Sequence, residues 1–220
     1  MLTLAVDTAA EIGSIALADE NGTLEEVSLH APQGFSHALF GELEALLTRQ
    51  GLRLSDVELY AAATGPGSFT GVRIGLAAIK GLAEVAGKPA FGISNLAALC
   101  EFGTGDLRAP VIDAKRGEVY AALYDSSGWE IIPASVLQFP AFLELVGSKL
   151  VGSKLVGSEN VEYISAGFDI HRPVTAAPHE LAGAVARLAI RRRLSGDSCD
   201  PASIEANYVR RSDAEIFWKD

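Results

Sequence analysis

Short, largely apolar runs open the chain, and an alternating segment follows them. Residues 2–7, LTLAVD, predict a buried strand, and residues 13–19, GSIALAD, predict a second one. The TAAEI segment between them makes a hairpin connection. Asp19-Glu20-Asn21-Gly22 is a turn signal, and Thr23 to Leu29 alternates as a third strand. The period then changes. From Ser36, a good N-cap residue, Leu39, Phe40, Leu43, Leu46 and Leu47 form one helical stripe. Glu42, Glu44 and Arg49 fall off it, and Gly51 ends it. Val57 to Ala63 returns to a strand. The glycine-rich stretch GPGSFTGVRIG, residues 65–75, follows and leads into a helix from about Gly71 to Ala86. Pro89 to Ile93 reads as a short strand, and Ser94 to Cys100 begins another helix. A last helix fits Pro178 to Leu194, with Leu181, Val185, Leu188 and Ala189 inward and Gly196 as its stop. NYVRR, residues 207–211, reads as a short extended segment.

A loop signal, GTGDLRAP, follows Phe102 and marks a domain boundary. Beyond it, VIDAKRGEVYAALYD (residues 111–125) parallels VDTAAEIGSIALAD (residues 6–19). Asp7 matches Asp113, Gly13 matches Gly117 and Asp19 matches Asp125. The offset of roughly 105 residues is about half the chain, and it points to an internal duplication of a β-turn-β unit. The competing reading is chance similarity between two hairpins. VGSKLVGSKLVGS, residues 146–158, is a five-residue tandem repeat, too short for a solenoid, and reads as a helix end and loop.

Composition narrows the function classes. With 220 residues the chain fits one large domain or two small ones. Its net charge of −10 argues against a strong nucleic-acid binder acting alone, because neutralising phosphates needs a basic face. No apolar stretch approaches the roughly 20 residues that span a bilayer. The N-terminus has no basic n-region, so the expected location is the cytoplasm, with no membrane partner. Cys100 and Cys199 form no CxxC pair and read as two reduced thiols.

The glycine loop invites a phosphate, yet it misses both standard patterns. A Walker A loop needs a lysine after its second glycine, and here none appears until Lys80. A dinucleotide fingerprint is GxGxxG, and Gly65-x-Gly67-x-x-x-Gly71 is one residue too long. Backbone N–H groups at a helix start still suit an anion. The alternative is a tight strand-to-helix turn. Gly71, Gly75, Ala78 and Gly81 then give the following helix a face of small residues. Each glycine costs about 1 kcal/mol in a helix, so close approach of another element must offset it. That element lies either in the same chain or in a partner.

Asp7 and Asp113 each end an apolar strand. Facing one another they would hold a magnesium-nucleotide; alternatively, they cap turns. His30, His37, His171 and His179 form no metal-ligand spacing, so no metal site is read. Ser68 has no base in view to make it a nucleophile. Arg187, Arg191, Arg192 and Arg193 cluster at the end of the last helix, with Arg210 and Arg211 later. They complement the helix dipole or form a patch for RNA or an acidic partner.

GPGSFTGVRIG, the early VDTA, IDAKRGEVY at 112–120 and the late YVRR together resemble the bacterial TsaB (YeaZ) family, from residue 2 to about 211. The resemblance implies an α/β fold of two duplicated actin/sugar-kinase/Hsp70-like, ribonuclease H-like domains, with mixed sheets flanked by helices. The domains are expected at 1–102 and 103–220, the last segment packing back on the first. It implies a role in forming threonylcarbamoyladenosine at position 37 of ANN-decoding tRNAs. In that system a TsaD-type subunit carries the metal, held by HxxxH, and the transfer chemistry. This chain has only the isolated His37, so the resemblance implies a non-catalytic accessory subunit without a cofactor of its own. Its implied partners are the TsaD-type transferase, a TsaE-type ATPase through the complex, and a second copy of itself, with tRNA touched only indirectly or weakly. The implied interface uses the helices at 36–50 and 71–86, through Leu39, Leu43, Leu46, Gly71, Arg73, Gly75, Ala78 and Gly81. The alternatives are a nucleotide-hydrolysing ATPase of this fold using Asp7 and Asp113, and a metallopeptidase homologue, which would need a metal.

Overall fold

The computed structural model of the chain describes residues 1–30, 34–150 and 161–210. Arg211 and most of the tandem repeat, from residue 151, lie outside the described residues. The chain divides into two units. One is Met1–Ala98 with His179–Asn207; the other is Leu99–Pro178 with the chain from Tyr208. The break falls four residues before the one read from the sequence.

In the first unit, β1 (Thr3–Asp7), β2 (Gly13–Asp19) and β3 (Gly22–Leu29) make an antiparallel meander. β4 (Leu59–Ala63) and β5 (Ala90–Ile93) add in parallel, giving the order β3-β2-β1-β4-β5. Parallel additions need crossovers. These are α1 (Phe35–Arg49), which leads into β4, and α2 (Phe69–Ala86), which joins β4 to β5. Alternation sorts the strand residues between two faces. Leu4, Val6, Ile15, Leu17, Tyr60 and Ala62 share one apolar cluster with Leu39, Leu43, Leu46 and Leu47 of α1 and Val72, Leu76, Ile79 and Ala83 of α2. The intervening positions are small: Ala5, Ala16, Ala18, Ala61 and Ala63, all buried. Across the five strands lies α5 (Ala182–Leu194), whose buried side is mostly small, with Ala182, Gly183, Ala184, Val185, Ala186 and Ala189 followed by Ile190. Small residues on both sides let a helix and a sheet approach closely.

The second unit repeats this plan. β6 (Leu107–Asp113), β7 (Glu118–Asp125) and β8 (Glu130–Gln138) form the meander, and β9 (Val161–Ser165) and β10 (Thr175–Ala176) add in parallel. Its order, β8-β7-β6-β9-β10, is the first sheet's order with the same sense at every strand pairing, although β9 runs to β10 without the helix that joins β4 to β5. Both meanders carry a register shift, at Leu17/Ala18 and at Ala121/Leu123. The duplication inferred from Asp7 and Asp113 is therefore a duplication of topology. α4 (Phe139–Leu150) packs on β7 and β8 and buries Phe142, Val146 and Leu150, so the repeat begins as a helix end.

The last helix starts four residues later than Pro178. Its first N–H groups find partners far away in sequence: Leu181 and Ala182 donate to Ser14 Oγ (3.1 and 2.9 Å), and Gly183 donates to Glu26 Oε1 (2.9 Å). Its arginines brace the same unit. Arg187 donates to Thr23 Oγ1 (2.9 Å), while Arg192 pairs with Asp197 (2.8 Å) and stacks 4.9 Å over Phe91.

The two cysteines differ in a measurable way. Cys100, on the short helix α3 (Asn95–Cys100), is buried, and that burial pushes its thiol up to about 12. Cys199 is half-buried and accepts from Arg193 Nη1 at 3.4 Å. A disulfide-exchange reagent at neutral pH is expected to titrate one thiol in the folded protein, Cys199, and two in denaturant, since the thiolate is the reactive form. Two fast thiols under native conditions would contradict this burial.

Candidate functional site

The glycine loop is built around Asp7. This carboxylate is fully buried at the end of β1. Burial pushes its pKa up, while bonds donated by Ala9 N–H to Oδ1 (2.8 Å) and by Asn95 Nδ2 to Oδ2 (3.0 Å) pull it back. Asn95, at the start of α3, then holds the loop on both sides. Its Oδ1 accepts from Gly65 N–H (2.8 Å), and its own N–H donates to Gly65 O (2.9 Å). The peptide Gly65–Pro66 is cis.

The rest of the loop closes on the β1–β2 connection. Ser68 N–H donates to Ala9 O (2.6 Å), and Thr8 Oγ1 donates to Gly71 O (2.7 Å). Ser68 caps α2, its Oγ accepting from Gly71 N–H at 3.2 Å, so the helix begins at Phe69, two residues before the sequence estimate. The donors at Gly65, Ser68 and Gly71 are thus spent on the chain itself.

The glycines face the same way. A Cβ on Gly71 would overlap the Thr8 carbonyl, one on Gly67 the Ala9 carbonyl, and one on Gly75 would lie 2.6 Å from Thr8 Oγ1. The close approach that the small face of α2 permits is to residues 8–9 of the same unit. Ala78 is buried as well, and Leu39, Leu43 and Leu46 lie in the core. Of the residues expected at the interface, only Arg73 and Gly81 face outward. They lie on an exposed stripe at helical spacing: Phe69 (41% exposed), Arg73, Ala77, Gly81 and Val85 (90%). The Arg73 guanidinium stacks 3.7 Å over the Phe69 ring. Nothing lies within 4 Å of a Cβ built on Gly81. On α1, Phe40 (54%) and His37 are exposed.

Asp113, the repeat of Asp7, sits differently within its own unit. It is part-buried, and its oxygens accept from Lys115 N–H (2.7 Å) and Lys115 Nζ (2.9 Å). Burial opposes ionisation, but the Lys115 bonds outweigh it and hold the carboxyl below its ordinary value. Both aspartates accept the N–H two residues on, which is the turn-capping geometry.

Sequence reasoning missed Asn95, Thr8 and Ser14. An asparagine at a helix start and a hydroxyl in a hairpin turn read as local caps, and nothing local announces partners about 60 to 170 residues away. Among the described residues no helix is long and apolar enough to cross a membrane.

Comparisons with known proteins bear on this arrangement. A family model described as TsaD, tRNA N6-adenosine threonylcarbamoyltransferase, matches residues 29–184. The chain is 38% identical over 128 residues to the tRNA threonylcarbamoyladenosine biosynthesis protein TsaB of Escherichia coli, covering 56% of this chain. It is 30% identical over 154 residues to TsaB of Bacillus subtilis, covering 68% of this chain. It spans about half the length of the first relative (55%) and two thirds of the second (67%). A solved structure of a Pseudomonas aeruginosa protein, described as similar to peptidase YEAZ, superposes with a TM-score of 0.71 at 25% identity, covering 95% of this chain and 99% of that one. The paired five-stranded mixed sheets are those of the actin, sugar-kinase and Hsp70 fold. With its sequence matched to the TsaD model over more than half its length, and its fold shared with YeaZ, the chain belongs to the TsaB (YeaZ) family of tRNA threonylcarbamoyladenosine biosynthesis proteins, related to TsaD.

Proposed function

We propose that this chain is a non-catalytic partner and activator of a TsaD-type transferase in forming threonylcarbamoyladenosine on ANN-decoding tRNAs, acting in the cytoplasm. The observation that carries the reading is the pair of opposite faces on α2. The inner face is fixed by Thr8, with Asp7 and Asn95 holding the loop that enters the helix, and the outer face leaves Phe69, Arg73, Ala77, Gly81 and Val85 exposed. An outer face with an Arg stacked on an aromatic, small residues at Ala77 and Gly81 and an exposed Val85 suits helix-to-helix docking. The same surface suits self-association, and a TsaE-type ATPase joins through the complex.

A nucleotide-binding ATPase is the second reading. Asp7 weakens it, because both of its oxygens already accept protein donors and no part of it is exposed. The experiment is reconstitution. Purified TsaD-type and TsaE-type partners are assayed for tRNA modification with and without this chain, and the chain is assayed alone. Modification is expected to fall to background when the chain is omitted, with no turnover by the chain alone. Undiminished modification without it would defeat the proposal. Magnesium-ATP binding tighter than about 10 μM by calorimetry, about 7 kcal/mol, would favour the ATPase instead.

A further inference from the structure

Residues 199–207 lie as a strap across the first unit. They follow α5 and end at Asn207, the last residue of that unit before the chain passes to the other. β5 is the last strand of its sheet, and an open strand edge needs a cover. The strap supplies it. Cys199 O accepts from Ala90 N–H (3.0 Å) at the start of β5, and Asn207 N–H donates to Thr64 O (2.8 Å) just before the glycine loop. Between these points Ile204 is buried in the apolar cluster that holds Ile79 and Ala83 of α2. It comes so close to β5 that a Cβ on Gly92 would lie 2.7 Å from its Cγ2.

Lys80 ties α2 to this strap. Its Nζ donates to Ala202 O and to Ile204 O, 3.0 Å each. A helical lysine ordinarily pairs with a carboxylate one turn on, here Glu84. This ammonium turns to two neutral carbonyls instead, and bonds from a charged donor are the strong ones. The long side chain is thereby fixed and loses rotamer freedom that a solvated lysine keeps. Its place on α2 matters. Lys80 stands next to Gly81, and a glycine in a helix interior weakens the helix there. The turns beyond carry Val85, the end of the outward stripe, and reach the core through Ala83, with Leu82 and Ala86 packed beside it. Too late in the sequence to serve a phosphate loop, this lysine fastens the helix beside its weak point.

We propose that Lys80 is a positioning residue for the outward face of α2: by tying the helix to the strap, it sets where Gly81 and Val85 stand when a partner helix arrives. This rests on the reading of that face as the contact for a TsaD-type protein. Lys80 acts through the strap rather than by touching the partner. A helix already held in its docking position binds without the cost of ordering it. Loosening the tie therefore weakens docking while every side chain of the outward stripe stays in place. A brace that served stability alone would lower the melting temperature and leave docking by the folded protein unchanged.

The test uses the full chain and a purified TsaD-type protein, well below the melting temperature of every variant. Lys80→Met keeps the apolar stem and removes the donors. Ser14→Ala is the control, because it removes the hydroxyl that takes the first N–H groups of α5 and leaves α2 alone. Both are expected to melt about 2–4 °C lower than the wild type. Lys80→Met is expected to weaken capture about tenfold, while Ser14→Ala captures as the wild type does. Lys80→Arg, which keeps a charged donor, is expected to restore capture to within about threefold. Hydrogen exchange of the free chain reads the tie itself. In Lys80→Met the amides of Ala90, Asn207 and the last turn of α2 are expected to exchange about tenfold faster, and those of β2 at the wild-type rate. Undiminished capture by folded Lys80→Met overturns the proposal. So does equal weakening by Ser14→Ala, which would make the effect one of stability, and so does unchanged exchange in the last turn of α2. A wild-type chain that captures no TsaD-type protein overturns the underlying functional reading and this proposal with it, whereas wild-type capture retained in Lys80→Met overturns this proposal alone.

Discussion

Gly71→Ala is expected to lower the unfolding free energy by about 3 kcal/mol, while Gly81→Ala on the same helix raises it by about 0.5–1 kcal/mol. The two glycines are ten residues apart and look alike in sequence. They differ in what a methyl group would meet. At Gly71 it meets the Thr8 carbonyl, which is backbone and cannot rotate away. The Thr8 hydroxyl already donates to Gly71 O, so moving the β1–β2 connection also breaks a buried bond. At Gly81 the methyl meets nothing within 4 Å, and the usual gain from replacing an exposed helical glycine applies. Gly75→Ala falls between them, because its methyl would meet the Thr8 side-chain oxygen at 2.6 Å. Urea denaturation of the three variants reads the ordering directly. If Gly71→Ala and Gly81→Ala shift stability in the same direction, the loop does not pack as described.

That pair of glycines also shows where sequence reasoning stops. The strands are legible because short apolar runs bounded by turn residues mark β1 and β2 and alternation marks β3: residues 13–19 form β2 with the same bounds, and β1 and β3 differ from expectation by a single residue. The duplication was legible because Asp7 and Asp113 occupy the same register of their meanders. The stripe of Leu39, Leu43 and Leu46 gave α1 correctly, but periodicity cannot say what covers the stripe. These leucines bury into the unit's own sheet, so they hold the helix in place and leave Phe40 outside. The small residues of α2 pose the same ambiguity. Spacing shows that something comes close, and only the fold shows that it is Thr8. The sequence pattern starts α5 four residues too early, because the hydroxyl that takes its first N–H groups, Ser14, lies far away on β2. The Lys115-Arg116 turn lies within the IDAKRGEVY motif, yet its left-handed backbone is invisible in a sequence that puts no Asn or Asp there.

The outward stripe carries the last prediction. Ala77→Trp, Gly81→Trp and Arg73→Glu are each expected to leave the monomer's stability within about 0.5 kcal/mol, because the three positions are exposed. Each is expected to weaken capture of the proposed TsaD-type partner by about 30-fold or more, the scale of a lost interface hot spot, roughly 2 kcal/mol. The tryptophans act by bulk at the two small positions of the proposed docking face. Arg73→Glu acts by charge and by geometry. It removes the planar cation stacked 3.7 Å over Phe69, and Arg73→Lys would keep the charge while losing the plane. Gly75→Trp serves as the contrast, because its side chain would enter the space held by Thr8 and Val6 and unfold the unit without informing on pairing. Pull-down of the TsaD-type protein, paired with thermal melts of each variant, separates the two effects. If all three outward variants retain full capture while folded, partner binding does not use this face of α2. The packing of the loop and of Gly71 and Gly75 against residues 8–9 would then have no bearing on how the proposed complex assembles.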